Sequence, residues 1–158
     1  MIKRSSRRTC GVASALTLAI AACGGSPLGP DPTDAEFDAS LGIDLAAMTE
    51  TASGLFVLDV VVGTGEIAVA GDTATVAYEV WLADATPIDS GSGFKFLVGG
   101  GAVIAGFDEG VTGMRVGGER TIVIPASLGY GNGGFSTVPG AAVLVYDLSL
   151  IAVLNPPF

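Results

Sequence analysis

The stretch that decides the fold is residues 99–131, GGGAVIAGFDEGVTGMRVGGERTIVIPASLGYG. After its opening glycines, apolar residues recur at positions 103, 104, 107 and 111. This spacing places them on one face of a helix, so we expect a short buried helix over residues 103–111. Glycines at positions 110 and 113 are expected to end it, because glycine accepts the left-handed conformation that closes many helices.

The second half of the stretch predicts a strand followed by a loop. Residues 120–124 are rich in β-branched side chains, and Pro125 ends the strand because proline has no N–H to give to a central ladder. Tyr130 follows in a segment with glycines on both sides. This layout predicts an apolar pocket with a polar rim.

Strand patterns lie on both sides of this stretch. Residues 55–62 are apolar except for Asp59, and residues 73–82 alternate between apolar and polar side chains, which is typical of a half-buried antiparallel strand. After a hairpin loop, further strands are predicted at 87–89, 94–98 and 142–154. One short helix is available to cover the sheet. The predicted fold is therefore α+β, a curved antiparallel sheet of five or six strands wrapped over one short helix.

Three motifs within the opening stretch resemble the FKBP family, the macrolide-binding peptidyl-prolyl isomerases. They are V-I-x-G-F-D-E-G at 103–110, G-M-x-V-G-G-x-R at 113–120 and I-P-x-x-L-G-Y-G at 124–131. Each is a weak glycine pattern alone, but together they have the order and spacing of the family. The resemblance extends over residues 53–154. It implies the FKBP-like architecture, an isomerase domain at 53–155 and a substrate that contains proline.

The resemblance also implies which residues act. It gives the catalytic roles to Asp89, Tyr130 and the backbone N–H of Ile104. Seven further residues would bind the substrate: Tyr78, Ile88, Phe94, Val103, Phe107, Val138 and Tyr146. Taken one by one, the apolar members are more simply explained as core residues. Asp89 could equally cap Ser90 or Gly91, and Tyr130 could anchor a glycine loop.

The implied chemistry needs no covalent intermediate, no cofactor and no metal. Tyr130 and the N–H of Ile104 would donate to the carbonyl while the peptide bond is twisted. A tyrosine, Tyr78, would hold Asp89, and Phe107 would lie under the proline ring.

The chain departs from the family pattern near the expected pocket. Ile88 stands where the family has an aromatic residue. The segment 90–93 is short and lacks the family's arginine, so Asp89 is expected to have no basic partner. The loop at 132–137 is one residue shorter than usual. We therefore expect macrolide inhibitors to bind weakly, if they bind.

Residues 1–22 are predicted to be a signal peptide. Four basic residues precede an apolar run at 11–22, which is too short to span a bilayer. Small residues then precede Cys23, and this resembles a bacterial lipobox in which the cysteine is lipidated. An ordinary signal peptide followed by an incidental thiol is the alternative. The expected location is the cell envelope, on the outer membrane facing the periplasm if the organism has one.

Residues 23–52 are predicted to be a tether and a lead-in segment. The first part is rich in glycine, serine and proline, which favours a flexible linker. Apolar residues at 37, 41, 45 and 48 then recur at helical spacing. A short amphipathic helix and an ordered, non-helical segment both fit this pattern, and neither is expected to supply a pocket residue.

The charge distribution argues against several partners. Four of the seven basic residues precede position 22, whereas all sixteen acidic residues follow it. The rest of the chain has three basic against sixteen acidic residues, a formal charge of −13, which disfavours nucleic acid or an anionic membrane surface. The chain has no histidine, which excludes catalytic triads, metal sites and pH switches that depend on one.

These patterns favour a membrane-anchored peptidyl-prolyl cis-trans isomerase that binds X-Pro segments of exported, unfolded proteins and assists their folding. The alternative is a non-catalytic module on the same fold that binds proline segments or acts as a chaperone. A structural envelope lipoprotein is the third class.

Overall fold

A computed structural model describes residues 31–155 of the chain. The predicted signal peptide (1–22), the predicted lipidation site Cys23, the predicted tether up to residue 30 and residues 156–158 all lie outside the described residues. Within the described range, no helix has the length and apolar content needed to span a membrane.

The described chain forms one six-stranded antiparallel sheet and one short α-helix, which confirms the predicted fold class. The spatial order of the strands is β1-β2-β5-β6-β3-β4. The helix α1 lies on the connection between β4 and β5. The elements are β1 (Thr49–Glu50), β2 (Phe56–Val61), β3 (Thr73–Leu82), β4 (Pro87–Leu97), α1 (Ala105–Val111), β5 (Glu119–Ile124) and β6 (Leu144–Leu154).

The helix is shorter than predicted, because two apolar positions of its pattern precede it. Val103 is not helical, and Ile104 is an extended N-cap with φ −60° and ψ 145°. The carbonyl of Ile104 accepts the N–H groups of Phe107 and Asp108 at 3.0 and 3.1 Å, which starts the helix. Gly110 lies inside the helix, so its prediction as a terminator is wrong. The chain leaves the helix at Thr112, just before Gly113.

The two short strands predicted at 87–89 and 94–98 are in fact one. β4 runs without interruption over eleven residues, and its residues 89–91 pair with 78–80 of β3. The pairing of β3 with β4 shifts register at two places, between Val76 and Tyr78 and between Val80 and Trp81. The serines and glycines of β4 hide the strand pattern, because glycine has low β propensity.

The core on the inner face of the sheet includes α1. Phe107 and Val111 pack among side chains from β3, β5 and β6, chiefly Val76, Ile122, Ile124, Leu144, Leu148 and Leu150. The helix can approach β5 closely because two of its residues are glycines. A Cβ on Gly106 would lie 2.5 Å from Cγ2 of Ile124, and one on Gly110 would lie 2.5 Å from Cδ1 of Ile122. These contacts set the height of Phe107 above the sheet.

The lead-in segment covers part of the outer face of the same sheet. Phe56, Val123, Val143 and Val145 form a second buried cluster there, and the apolar side chains between residues 35 and 48 pack against it. The segment is the ordered, non-helical form of the two alternatives. It contains three single 3-10 turns, at Pro32–Asp34, Ala39–Leu41 and Leu45–Ala47. An aspartate caps each turn by accepting a backbone N–H, and such local capping competes with a continuous helix.

We predict that alanine at position 106 destabilises the protein more than alanine at position 110. The Gly106→Ala methyl group meets the branch of Ile124, whereas the Gly110→Ala methyl group meets the movable end of Ile122. Overpacking costs about 1–3 kcal/mol, and a gain in helix propensity of up to about 1 kcal/mol offsets part of it in both variants. Urea unfolding of the two variants measures the difference. Equal midpoints would contradict the predicted order, and two midpoints no lower than that of the wild type would contradict the close packing of α1 on β5.

Candidate functional site

A cavity of about 380 Å³ lies on the inner face of the sheet, beside the start of α1. Strands β3, β4 and β6 supply its walls, the segment before α1 supplies one edge, and the loop after β5 supplies another. Its lining residues are Tyr78, Val80, Ile88, Asp89, Phe94, Ala102, Val103, Ile104, Phe107, Tyr130 and Tyr146. The structure therefore brings together every predicted pocket residue except Val138. Three described residues distant in sequence, Asp89, Ile104 and Tyr130, meet in this cavity as expected.

Val138 is the one predicted pocket residue that the structure places elsewhere. Its side chain is 6% exposed and packs in the inner core, and it is absent from the cavity lining. The sequence pattern missed Val80 and Ala102, which do line the cavity. Val80 lies two residues after Tyr78 on β3, so both side chains point to the inner face of the sheet. The strand periodicity predicts this orientation, but it does not distinguish a pocket residue from a core residue.

Phe107 forms the floor of the cavity. Its ring is 4% exposed and stands edge-on to Phe96, Tyr146 and Tyr78, with ring centroids 5.3, 5.4 and 5.9 Å away. Edge-to-face pairs of this kind are favoured by the aromatic quadrupole and fix ring orientations. The result is a rigid apolar floor of a size that suits a small ring.

Asp89 is held by two hydrogen bonds. The hydroxyl of Tyr78 donates to its Oδ2 at 2.8 Å, and the N–H of Ser90 donates to its Oδ1 at 2.9 Å. Both interpretations of Asp89, as a pocket carboxylate and as a local cap, therefore hold together. Gly91 leaves room for the tyrosine that donates to Asp89, because a Cβ at position 91 would lie 2.8 Å from the Tyr78 ring.

The electrostatics of the cavity are set by hydroxyl groups and a carboxylate. Among residues 31–155, the one ion pair joins Arg120 to Asp59, and Asp89 has no basic partner. Burial raises the pKa of Tyr78, and the hydrogen bond to Asp89 raises it further. Burial raises the pKa of Tyr146 strongly, with smaller effects from the Tyr130 and Tyr78 hydroxyls. Both phenols therefore remain neutral hydrogen-bond donors at physiological pH.

The segment before α1 places Ile104 at the cavity edge. The N–H of Gly99 donates to Oδ1 of Asp108 at 2.7 Å, so the chain folds back onto the helix. Ile104 lines the cavity, and no acceptor within the described chain takes its N–H. This N–H is free to bind a ligand carbonyl.

Tyr130 lines the cavity from the loop after β5. Its ring stacks on Phe135, with centroids 5.4 Å apart and planes 13° apart. Phe135 is 65% exposed, and no motif of the sequence points to it. The sequence contains only a weak indication that Phe135 belongs to the site. It is a single large apolar residue in a loop of small and polar ones, five positions after Tyr130.

The described residues contain no group of three or more acidic, cysteine or histidine side chains placed to hold a metal ion. The cavity itself offers one carboxylate among aromatic and aliphatic side chains.

Comparison with known proteins agrees with this geometry. A family profile described as FKBP-type peptidyl-prolyl cis-trans isomerase matches residues 65–151. The chain belongs to this family. The match spans the described residues from the turn before β3 to most of β6, and so includes every residue of the cavity.

Individual relatives resemble the chain in sequence, and a solved structure resembles it in fold. The chain is 47% identical over 92 residues to peptidyl-prolyl cis-trans isomerase FKBP15-2 of Arabidopsis thaliana, and the aligned part covers 55% of this chain and 56% of that protein. It is 38% identical over 105 residues to an FK506-binding protein of Neisseria meningitidis, covering 63% of this chain and 96% of that one. The crystal structure of FkpA from Escherichia coli superposes with a TM-score of 0.65 at 32% identity, covering 70% of this chain and 53% of that one. The chain thus spans little more than half of two of these proteins.

We predict that Tyr78 and Tyr146 ionise above the ordinary tyrosine pKa of about 10 in the native protein. A spectrophotometric titration should show two late steps, and Tyr78→Phe and Tyr146→Phe should each remove one. In denaturant all three tyrosines should titrate near pH 10. Because the folded state holds these protons more tightly, the associated stability is complete below pH 10 and decreases as the pH rises further. Titration of every tyrosine near pH 10 in the native protein would refute this.

Proposed function

We propose that the cavity catalyses cis-trans isomerisation of peptide bonds that precede proline. The observation that carries the proposal is the convergence, on a rigid aromatic floor, of Asp89 with Tyr130 and the free N–H of Ile104. The cavity is large enough for a proline ring and the adjoining peptide group. Membership of the family supports the same activity.

The mechanism follows from the electronic structure of the amide. Rotation about the peptide bond has a barrier of about 18–20 kcal/mol because it breaks amide resonance. The planar amide separates charge more than the twisted one does, so an apolar site that excludes water favours the twisted form. Hydrogen-bond donors aimed at the twisted carbonyl add stabilisation that the planar form does not receive.

Each side of the cavity has a part in this scheme. Phe107 supports the proline ring from below. The Tyr130 hydroxyl and the Ile104 N–H donate to the carbonyl from two edges. Tyr78 and the Ser90 N–H hold Asp89 in one orientation, so its negative charge stays fixed beside the rotating bond. All the groups act without changing covalent bonds.

We further propose that the substrates are X-Pro segments of exported, unfolded proteins at the cell envelope. The sequence pattern of residues 1–22 and the lipobox-like cysteine support export and lipid anchoring. The described part of the lead-in, residues 31–52, supplies no lining residue, so anchoring through it would leave the cavity open. In a cell with two membranes, the anchor would place the domain on the outer membrane facing the periplasm. Macrolide inhibitors should bind weakly, because Ile88 replaces an aromatic wall residue and Asp89 has no basic partner within the described chain.

We predict that three substitutions separate catalysis from binding. Tyr130→Phe removes one hydroxyl and keeps the ring, so turnover should fall about two- to tenfold with little change in peptide affinity. Asp89→Asn keeps the shape and removes the charge, so kcat/KM should fall without unfolding. Phe107→Ala should lower both binding and stability, by about 3–5 kcal/mol of unfolding free energy for a buried aromatic. NMR exchange measurements on X-Pro peptides give rate and affinity on the same samples.

The alternative is a non-catalytic module that binds proline segments, and the missing basic partner of Asp89 is the observation that favours it. If wild-type protein binds X-Pro peptides without accelerating their exchange, and the two polar variants bind equally well, the isomerase proposal is wrong. The binding-module function would then replace it.

We predict that Cys23→Ala releases the protein from membranes or blocks its maturation. Acyl chains contribute about 0.8 kcal/mol per buried CH₂, so losing them should move the protein to the soluble fraction. Labelling with radioactive fatty acid checks the modification directly, and Cys10→Ala is the matched control. Equal label in wild type and in Cys23→Ala would end the lipoprotein proposal.

A further inference from the structure

Tyr130 packs at the edge of the inner core and its hydroxyl hydrogen-bonds with the Tyr146 hydroxyl, but it stands on a loop rich in glycine. Four glycines lie between residues 129 and 134, and glycine restricts the backbone less than any other residue. Catalysis by a hydroxyl nevertheless requires that the hydroxyl stays close to one position, because small displacements weaken a hydrogen bond steeply. A further contact, with the face of the ring, would restrict the tyrosine more than these two contacts do.

Phe135 supplies a contact of the required kind. Its ring lies nearly parallel to the Tyr130 ring, at a centroid distance of 5.4 Å, which is an offset stack. Phe135 is not among the residues that line the cavity, so it touches the Tyr130 ring from outside the binding site. The Phe135 side chain is 65% exposed, so its burial contributes little to the stability of the fold. A purely structural role is therefore a poor explanation for a phenylalanine at this position.

The backbone under Phe135 is itself fixed. Phe135 and Val138 exchange two hydrogen bonds, at 3.0 and 2.8 Å, across a tight turn that holds Ser136 at φ 52°. Val138 is buried in the inner core and anchors this turn. Gly134 before it has φ 66°, and a Cβ there would collide with the Val138 carbonyl. Phe135 is therefore attached to the core through Val138, although its ring is in solvent.

We propose that Phe135 is a positioning residue for Tyr130: its ring clamps the tyrosine ring, so that the hydroxyl stays at the cavity edge during turnover. This rests on the proposed isomerase function. It also gives Val138 a role at the site, as the buried anchor of the clamp rather than as a wall of the pocket.

A double-mutant cycle tests the clamp through the hydroxyl on which it acts. Phe135→Ala should lower kcat by a factor approaching that of Tyr130→Phe, about two- to tenfold, with KM nearly unchanged. In the Tyr130→Phe background the same truncation should cost nothing further, because the hydroxyl is already absent. Phe135→Tyr should restore turnover, whereas Phe135→Leu, which keeps an apolar side chain without a ring, should not. Val62→Ala, an apolar truncation at a 72% exposed site outside the cavity, is the matched control.

The clamp also has a readout that does not depend on activity. Ring current from Phe135 should shift the Tyr130 ring resonances upfield in wild type and in Phe135→Tyr, and the shift should vanish in Phe135→Ala and Phe135→Leu. Absence of the shift in wild type overturns the clamp whatever the activity is. An active wild type with an equally active Phe135→Ala, or with additive losses in the cycle, overturns the positioning role. A wild type that shows the shift but does not accelerate exchange overturns the isomerase function, and with it the role of the clamp in turnover.

Discussion

The close contact between α1 and β5 is the constraint on which the rest of the structure depends. Two glycines on the helix face let it lie directly on Ile122 and Ile124, and this depth puts Phe107 at the base of the cavity. Both ends of the helix are also tied: Asp108 holds the chain before it, and Arg120 donates to the carbonyl of Gly110 at 2.9 Å while pairing with Asp59. The close approach of the α1 backbone to β5 thus fixes the floor of the site as much as side-chain packing does.

The fold could be predicted from local patterns, whereas the candidate pocket residues were implied by the resemblance to the FKBP family. Alternation in β3 and the β-branched run of β5 are strong periodic signals. The three glycine motifs carried the family resemblance, and that resemblance implied the pocket residues. The sequence did not predict that β4 is continuous, because the serines and glycines in its middle have low β propensity. Those residues form a strand because β3 pairs with them. Phe135 was missed for a related reason: a stacking contact across a loop depends on turn geometry, which the residue types alone do not give.

The support of Asp89 shows how the site holds a carboxylate without a cation. A phenol and one backbone N–H restrict it, and the phenol is in turn packed edge-on against Phe107. Orientation therefore comes from neutral donors attached to the aromatic floor. Because the donors are neutral, no cation offsets the carboxylate, and the cavity combines one acidic group with aromatic and aliphatic walls.

The lead-in and the cavity lie on opposite faces of one sheet. The lead-in packs on the outer cluster, and the N–H of Asp38 donates to the carbonyl of Ala83 at 2.8 Å, in the turn between β3 and β4. The contacts that hold the described lead-in therefore lie on the outer face and at that hairpin turn. They leave the opposite face, with the cavity, accessible to a long peptide.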